Sequence, residues 1–151
     1  MSASPLLRQM GAKLWSIFRE DADLAKFRFK GFPQGIGGDM SIIFFNSGEQ
    51  LRESLDDDPP WPVWEELRAL ANQLQSSPDF TSEPFTHMVF ELTEDGQMET
   101  NFAYIPEWDS WPGLYMKGVS QISAGEIGEY NIPHDIWEER VAMAKERPYR
   151  T

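Results

Sequence analysis

The hairpin that decides the fold lies in residues 85–105, FTHMVFELTEDGQMETNFAYI. Two runs in which apolar and polar residues alternate flank residues 93–96, TEDG. An Asp-Gly pair between two such runs is typical of a β-hairpin. The segment therefore predicts two antiparallel strands, over about residues 85–92 and 97–105.

The register of this hairpin follows from where its apolar side chains would point. A two-residue turn would put Glu99 and Asn101 on the same face as Phe90, which makes a poor core. A three-residue loop with Gly96 in the left-handed conformation gathers the apolar side chains on one face instead. Because a slip of one residue inverts every side chain, we expect this second register. Its apolar face would hold Met88, Phe90, Leu92, Met98, Phe102 and Tyr104.

Upstream of the hairpin, the sequence pattern changes from helix to strand. Ser4-Pro5 is a typical helix start, and apolar residues then recur at helical spacing to about residue 20. Strict alternation over residues 26–30, KFRFK, predicts a half-buried strand, and the apolar run 40–45, MSIIFF, predicts a second. A hairpin is the expected connection between them, because Met40 stands where a GxGxxG phosphate loop would need glycine.

The stretch 54–67, SLDDDPPWPVWEEL, leads into a second helix, which we expect over residues 62–75. Its aspartates would lie at the positive end of the helix dipole, where carboxylates are favoured. Capping needs only one or two carboxylates, whereas five acidic residues precede or open this helix. The surplus indicates an acidic surface for a partner. The five residues are Asp56, Asp57, Asp58, Glu65 and Glu66.

The last third of the chain has weaker patterns. Residues 106–118 are rich in aromatic residues and resemble a loop, and residues 119–122 fit either a short strand or an irregular segment. A final helix is expected after Pro133. The sequence thus predicts one α+β domain over residues 1–151 in the order α-β-β-α-β-β-loop-α. Its antiparallel sheet would be built from hairpins, with the helices packed on one face.

Composition excludes several classes of protein. The chain of 151 residues is 40% hydrophobic and 13% aromatic, too rich for a disordered segment. It has no cysteine, which excludes disulfides, thiolate metal sites and cysteine nucleophiles. Its start lacks the pattern of a signal peptide, and no stretch approaches the ~18 apolar residues of a membrane span. We therefore expect a cytoplasmic protein that does not interact with membranes.

Charge is distributed unevenly along the chain. The net charge is −12, and residues 31–139 hold 21 acidic and only three basic residues. Such a field repels the phosphates of nucleic acid, so we expect no nucleic-acid partner. A basic protein is the natural partner for an acidic surface, since opposite charge speeds association. The alternative is that the charge serves solubility alone.

Little in the sequence indicates catalysis or metal binding. Neither His87 nor His134 has metal-ligand spacing around it, and residues 56–58 lack the spaced oxygen ligands of a calcium loop. The GxSxG motif of serine hydrolases is absent. His87 is expected on the more polar face of its strand. We predict no metal and no cofactor. An enzyme with a carboxylate acid–base pair remains an alternative, because 25 acidic residues always allow one.

An aromatic and acidic loop is the second candidate for partner contact. Tryptophan is enriched at the energetic centres of protein interfaces, and neighbouring carboxylates can steer a basic partner. The alternative is that the two tryptophans fold back as a lid on the sheet. The candidate residues are Glu107, Trp108, Asp109 and Trp111.

Several segments together resemble the YezG-like antitoxin and immunity family. Residues 42–46, IIFFN, resemble its "VFFNY" strand, and residues 64–67, WEEL, lie where that family has an acidic, leucine-rich helix. Residues 88–98, MVFELTEDGQM, resemble its hairpin, and residues 102–105, FAYI, followed by Trp108, resemble its next strand. The resemblance covers about residues 1–111 in order.

The resemblance implies a small, acidic cytoplasmic protein that binds and neutralises a secreted toxin, often a nuclease. It transfers no catalytic residues. Together with the charge pattern, it leads us to expect an immunity protein that occludes a basic toxin through the nine acidic and aromatic residues named above. Two alternatives stay open: a small enzyme that uses carboxylates, and a regulatory or scaffold domain with another partner.

Overall fold

A five-stranded antiparallel sheet forms the centre of the protein, which we describe from a computed structural model. The structure describes residues 3–32, 38–52, 61–80 and 84–149. The strand order is β3-β2-β1-β4-β5. The fold is α+β, as the sequence predicts. The strands are β1 (Leu24–Gly31), β2 (Gly38–Asn46), β3 (Glu49–Gln50), β4 (His87–Thr93) and β5 (Met98–Ala103).

The β4–β5 hairpin has the register that its apolar pattern predicts. Phe90 pairs with Thr100 and Met88 pairs with Phe102. Gly96 closes the loop at a φ of 87°, in the left-handed region that favours glycine. The face shared by these residues is buried along β4, whereas Met98 near the loop is 46% exposed. The three-residue loop is therefore confirmed.

Two helices cover one face of the sheet. They are α1 (Ala3–Ser16) and α2 (Trp61–Gln75), and they pack on each other as well as on the strands. Every second residue of β1, β2 and β4 points into this layer, as the period of two in a strand requires. The core between helices and strands is mainly apolar, and the buried side chain of Gln75 donates hydrogen bonds to the carbonyl oxygens of Gly31 and Phe85 at its edge. Its strand residues are Ala25, Phe27, Phe29, Met40, Ile42, Phe44, Met88, Phe90 and Leu92.

The opposite face of the sheet is covered by residues 104–133, which we call the cap. It contains three 3-10 turns, Glu107–Asp109, Val119–Gln121 and Ile127–Tyr130, and it has its own apolar cluster. The third helix, α3 (His134–Glu146), packs on this cap through Ile136 and Trp137.

The position of α3 corrects the expectation that all helices lie on one face. Its apolar side chains pack on the apolar cluster of the cap, which the sequence pattern of the hairpin does not predict. Two other details differ. The first helix ends at Ser16 instead of about residue 20, and the two-residue strand β3 follows a tight turn at Ser47-Gly48. Among the described helices, none is both long and apolar enough to cross a membrane.

Candidate functional site

Three cations alternate along the cap-facing side of β1. Lys26, Arg28 and Lys30 occupy successive positions on this face, between β2 on one side and β4 on the other. The alternation that predicts the strand therefore also puts three positive charges in a row. Arg28 is the central one, since it lies between Ser41 of β2 and Val89 of β4.

Lys30 is buried and held by the cap. Its ammonium group donates a hydrogen bond to the carbonyl oxygen of Trp111 at 2.9 Å and lies 5.3 Å from the centre of the Tyr115 ring. Burial lowers the pKa of Lys30, and the nearby Asp39 carboxylate opposes that shift. Lys30 therefore attaches the cap to the middle of the sheet.

Tyr115 forms the second attachment between cap and sheet. Its hydroxyl donates to the Asp39 carboxylate at 2.9 Å, and its ring faces both Arg28 and Lys30. Burial, followed by the hydrogen bond to Asp39, raises the pKa of Tyr115 to about 12. The tyrosine thus stays protonated and acts as a fixed donor at physiological pH.

His87 lies on this polar face, as predicted, but it is completely buried. Its Nδ1 is 2.7 Å from the hydroxyl oxygen of Thr86, and its Nε2 has no hydrogen-bond partner among the described residues. Burial, followed by the positive charge of Lys30, lowers its pKa to about 4. His87 is therefore neutral at pH 7, and no carboxylate or serine of the described chain bonds to it.

Asp109 differs most from its predicted role as a partner contact. Its carboxylate has no exposed surface. It accepts hydrogen bonds from the Ser120 amide at 3.0 Å, from the Ser120 hydroxyl at 2.5 Å and from the Tyr149 hydroxyl. Burial, followed by that hydrogen bond, raises the pKa of Tyr149. Asp109 thus joins two parts of the cap to the C-terminal segment and is not available to a partner.

The two tryptophans of the aromatic loop are both half-buried. The Trp108 ring packs against Tyr149, with centroids 6.4 Å apart. Trp111 packs on the apolar cluster of the cap, and its indole nitrogen donates to the Tyr130 carbonyl oxygen at 2.8 Å. These contacts match the alternative in which Trp111 folds back as a lid. Glu107, the first residue of its 3-10 turn, is exposed.

The acidic residues predicted around the second helix are on the other side of the molecule. Glu66 forms an ion pair with Lys13 of α1, and Glu65 lies 3.8 Å from Arg68 on its own helix. Both belong to the helical layer, across the sheet from Glu107 and the cap. Asp56, Asp57 and Asp58 lie outside the described residues. Those of the predicted residues that the structure describes therefore do not form one surface.

The structure instead has exposed acidic residues on the cap and on the first half of α3. Residues 104–139 contain seven acidic residues and one basic residue, Lys117. Of the seven, only Asp109 is buried. Four of the exposed carboxylates have no cationic partner among the described residues. The four, which we call the cap carboxylates, are Glu107, Glu129, Asp135 and Glu139. A count of charge restricted to this segment would have found the acidic excess from the sequence, but not which carboxylates are exposed.

A groove of about 630 Å³ separates the cap from the polar sheet face. Arg28 and Lys26 lie on its sheet side, and Tyr115 and Tyr130 lie on its cap side. The sequence pattern of residues 26–30, KFRFK, predicts only a strand, so the groove is not predicted from the sequence.

In the part of the chain that the structure describes, no three His, Asp or Glu side chains come together as metal ligands would. Neither a family model nor a curated protein sequence matches this chain.

Proposed function

We propose that this protein is an immunity protein, an antitoxin that binds and neutralises a secreted toxin with a basic active-site region. The observation that carries the proposal is the set of cap carboxylates. They are exposed on an anchored scaffold and form no ion pair with the described residues. Like charges on one small domain repel one another, and a basic partner relieves that repulsion.

The scaffold supports a binding role because the cap is fixed on both of its sides. Lys30 and Tyr115 attach it to the sheet, and Asp109 ties it to Tyr149 near the C-terminus. A surface that is ordered before binding loses less conformational entropy on association. The cap carboxylates can therefore meet a complementary surface without rearrangement.

The proposed mechanism is occlusion and requires no reaction. A nuclease needs a basic cleft for phosphates, and an acidic domain seated in that cleft excludes the nucleic acid. Binding would be stoichiometric, in the cytoplasm of the cell that the toxin threatens. The resemblance of residues 1–111 to the YezG-like family supports the same role.

The test begins with capture of the partner from the native host by the tagged protein. The captured protein is then expressed in a naive host with and without this chain. We expect growth arrest when it is expressed alone and normal growth when the two are co-expressed. A captured protein that is harmless, or whose toxicity this chain does not relieve, contradicts the proposal.

Matched charge-reversal variants locate the surface. Glu107→Lys/Glu129→Lys/Glu139→Lys changes the cap, and Glu20→Lys/Glu49→Lys/Glu94→Lys changes three exposed carboxylates elsewhere by the same net charge. We expect the cap variant to lose protection and the control variant to keep it. Equal loss in both would show that only total charge matters.

A further inference from the structure

Arg28 is the cation of the polar sheet face that has neither a hydrogen-bond nor an ion-pair partner among the described residues. Lys26 lies 3.4 Å from the Glu91 carboxylate, and Lys30 donates to the Trp111 carbonyl. Arg28 lies between them, with its guanidinium carbon 5.6 Å from the centre of the Tyr115 ring. No hydrogen bond or ion pair joins Arg28 to the described residues. Its five N–H donors are thus free on a half-buried side chain.

The groove above Arg28 has the size and lining of a small-molecule site. Its volume of about 630 Å³ lies within the range of ~300–1,000 Å³ that is typical of ligand pockets. Its wall combines aromatic and aliphatic side chains with charged and polar ones. The aromatic and aliphatic members are Val89, Phe102, Leu114, Tyr115, Met116, Ile122 and Tyr130.

The carboxylates that line the groove do not neutralise Arg28. Glu91 is paired with Lys26, and Glu126 accepts hydrogen bonds from the amide and hydroxyl of Ser123 at 3.1 and 2.9 Å. The hydrogen bonds from Ser123, followed by the positive charge of Lys117 at the rim, lower the pKa of Glu126, so the charges of Glu126 and Lys117 offset each other. The groove therefore keeps an unsatisfied positive charge inside a protein whose net charge is −12.

The geometry points to a binding site for a small aromatic carboxylate in this groove. A guanidinium presents parallel N–H donors that match the two oxygens of a carboxylate, which a point-like ammonium does not. The Tyr115 ring lies beside the guanidinium group of Arg28. The aromatic side chains of the groove offer a stacking surface for a planar ring. This site is separate from the cap carboxylates, and it does not depend on the proposed toxin partner.

Benzoate is the minimal probe, and benzamide is its neutral match in shape. The protein labelled with ¹⁵N is titrated with each, and the amide shifts are followed by NMR. We expect saturable shifts with benzoate at residues that line the groove, such as Gly113 and Lys117, and at least about tenfold weaker binding of benzamide, as the loss of one charged hydrogen-bonded pair implies. Equal affinity for the two probes, shifts elsewhere, or no shifts at millimolar concentration would overturn the proposal.

Substitutions then test the role of Arg28. Arg28→Gln should weaken benzoate binding about tenfold or more, and Arg28→Lys should recover only part of it, because the paired donors are lost. Arg8→Gln, an exposed arginine on α1, is the matched control and should bind as the unaltered protein does. Tighter binding of inorganic phosphate than of benzoate, or unchanged binding in Arg28→Gln, would contradict the assignment. If Arg28→Gln does not fold, the comparison of benzoate with benzamide on the unaltered protein tests the proposal by itself.

Discussion

The two faces of the sheet have opposite chemistry although the same strands build both. On the face covered by α1 and α2, Phe27 and Phe90 are fully buried among apolar side chains. On the face covered by the cap, the adjacent positions hold Arg28, Lys30 and His87. The helical face is held mainly by apolar contact, with Gln75 as a buried hydrogen-bond donor at one end. The cap face requires hydrogen-bond partners at particular positions, so it specifies how the cap sits and leaves polar groups for recognition.

This difference gives the two faces of one sheet different sources of stability. Apolar layers tolerate exchange of one large side chain for another if volume is kept. A buried polar layer does not, because a donor or acceptor that loses its partner costs about 1–3 kcal/mol. We therefore expect substitutions on the helical face to lower stability through lost packing. Substitutions on the cap face should lower it through lost hydrogen bonds and should change its dependence on pH.

The largest expected effect is the truncation of a core residue on the helical face. Phe90→Ala should lower the free energy of unfolding by roughly 3–5 kcal/mol, through lost burial and the cavity that remains. Its neighbour Val89 faces the groove and is half-buried, so Val89→Ala should lower it by only about 1 kcal/mol. Urea denaturation followed by tryptophan fluorescence measures both, and similar losses would remove the distinction between the faces.

His87 should make stability depend on pH. Its pKa is about 4 in the folded protein and 6.5 in the unfolded chain, so only the unfolded chain gains a proton between these values. Stability should therefore fall as pH drops from about 6.5 to 4, by roughly 3 kcal/mol at 1.36 kcal/mol per unit. The contribution is fully present above pH 6.5.

The variant His87→Leu isolates this contribution from that of the carboxylates. We expect the variant to lose less stability than the unaltered protein over the same pH range. His134→Gln, which removes an exposed imidazole on α3, is the control for loss of a histidine in general. Parallel pH profiles for His87→Leu and the unaltered protein would show that the buried position of His87 has no energetic consequence.

The Asp109–Tyr149 hydrogen bond should contribute an intermediate amount. Tyr149→Phe removes the hydroxyl that the buried carboxylate accepts from, and it should lower the free energy of unfolding by about 1.5–3 kcal/mol. A double-mutant cycle with Asp109→Ala should give a coupling energy of about 1 kcal/mol or more. Additive effects in that cycle would mean that the two side chains do not interact in solution.

The smallest effect concerns the hairpin turn. Gly96→Val places a β-branched residue at a φ of 87°. A Cβ added at this position would contact none of the described residues. We expect a loss of roughly 1 kcal/mol or more from backbone strain alone. Gly128→Val, at a glycine with open space and without positive φ, is the comparison. Equal losses at both positions would contradict the left-handed turn.

The helical face could be predicted from sequence because its determinants are local. The register of the β4–β5 hairpin follows from alternation and from one glycine, and the stripe that contains Leu67 and Leu74 defines α2. The cap could not be predicted, because its contacts join distant residues. Lys30 bonds to Trp111 across 81 positions, and Asp109 bonds to Tyr149 across 40.

The candidate surface was only partly predictable for the same reason. Composition locates acidic charge in the middle of the chain, yet it cannot tell a buried carboxylate such as Asp109 from an exposed one such as Glu107. It also cannot show that Glu66 is paired with Lys13. Only the packing of the cap against the sheet separates the carboxylates that stabilise the fold from those that remain for a partner.

The central claim is that the cap surface, and not the helical layer, meets a basic partner. The direct measurement is the association rate of the captured partner with two folded variants, Glu107→Lys/Glu129→Lys/Glu139→Lys and Glu65→Lys/Glu66→Lys, at low and high salt. We predict that the cap variant associates about tenfold more slowly at low salt, and that the difference shrinks once the Debye length falls below about 10 Å. The helical-layer variant should change less than about twofold. An unchanged rate for the cap variant, or an equal loss in both variants, would contradict the claim.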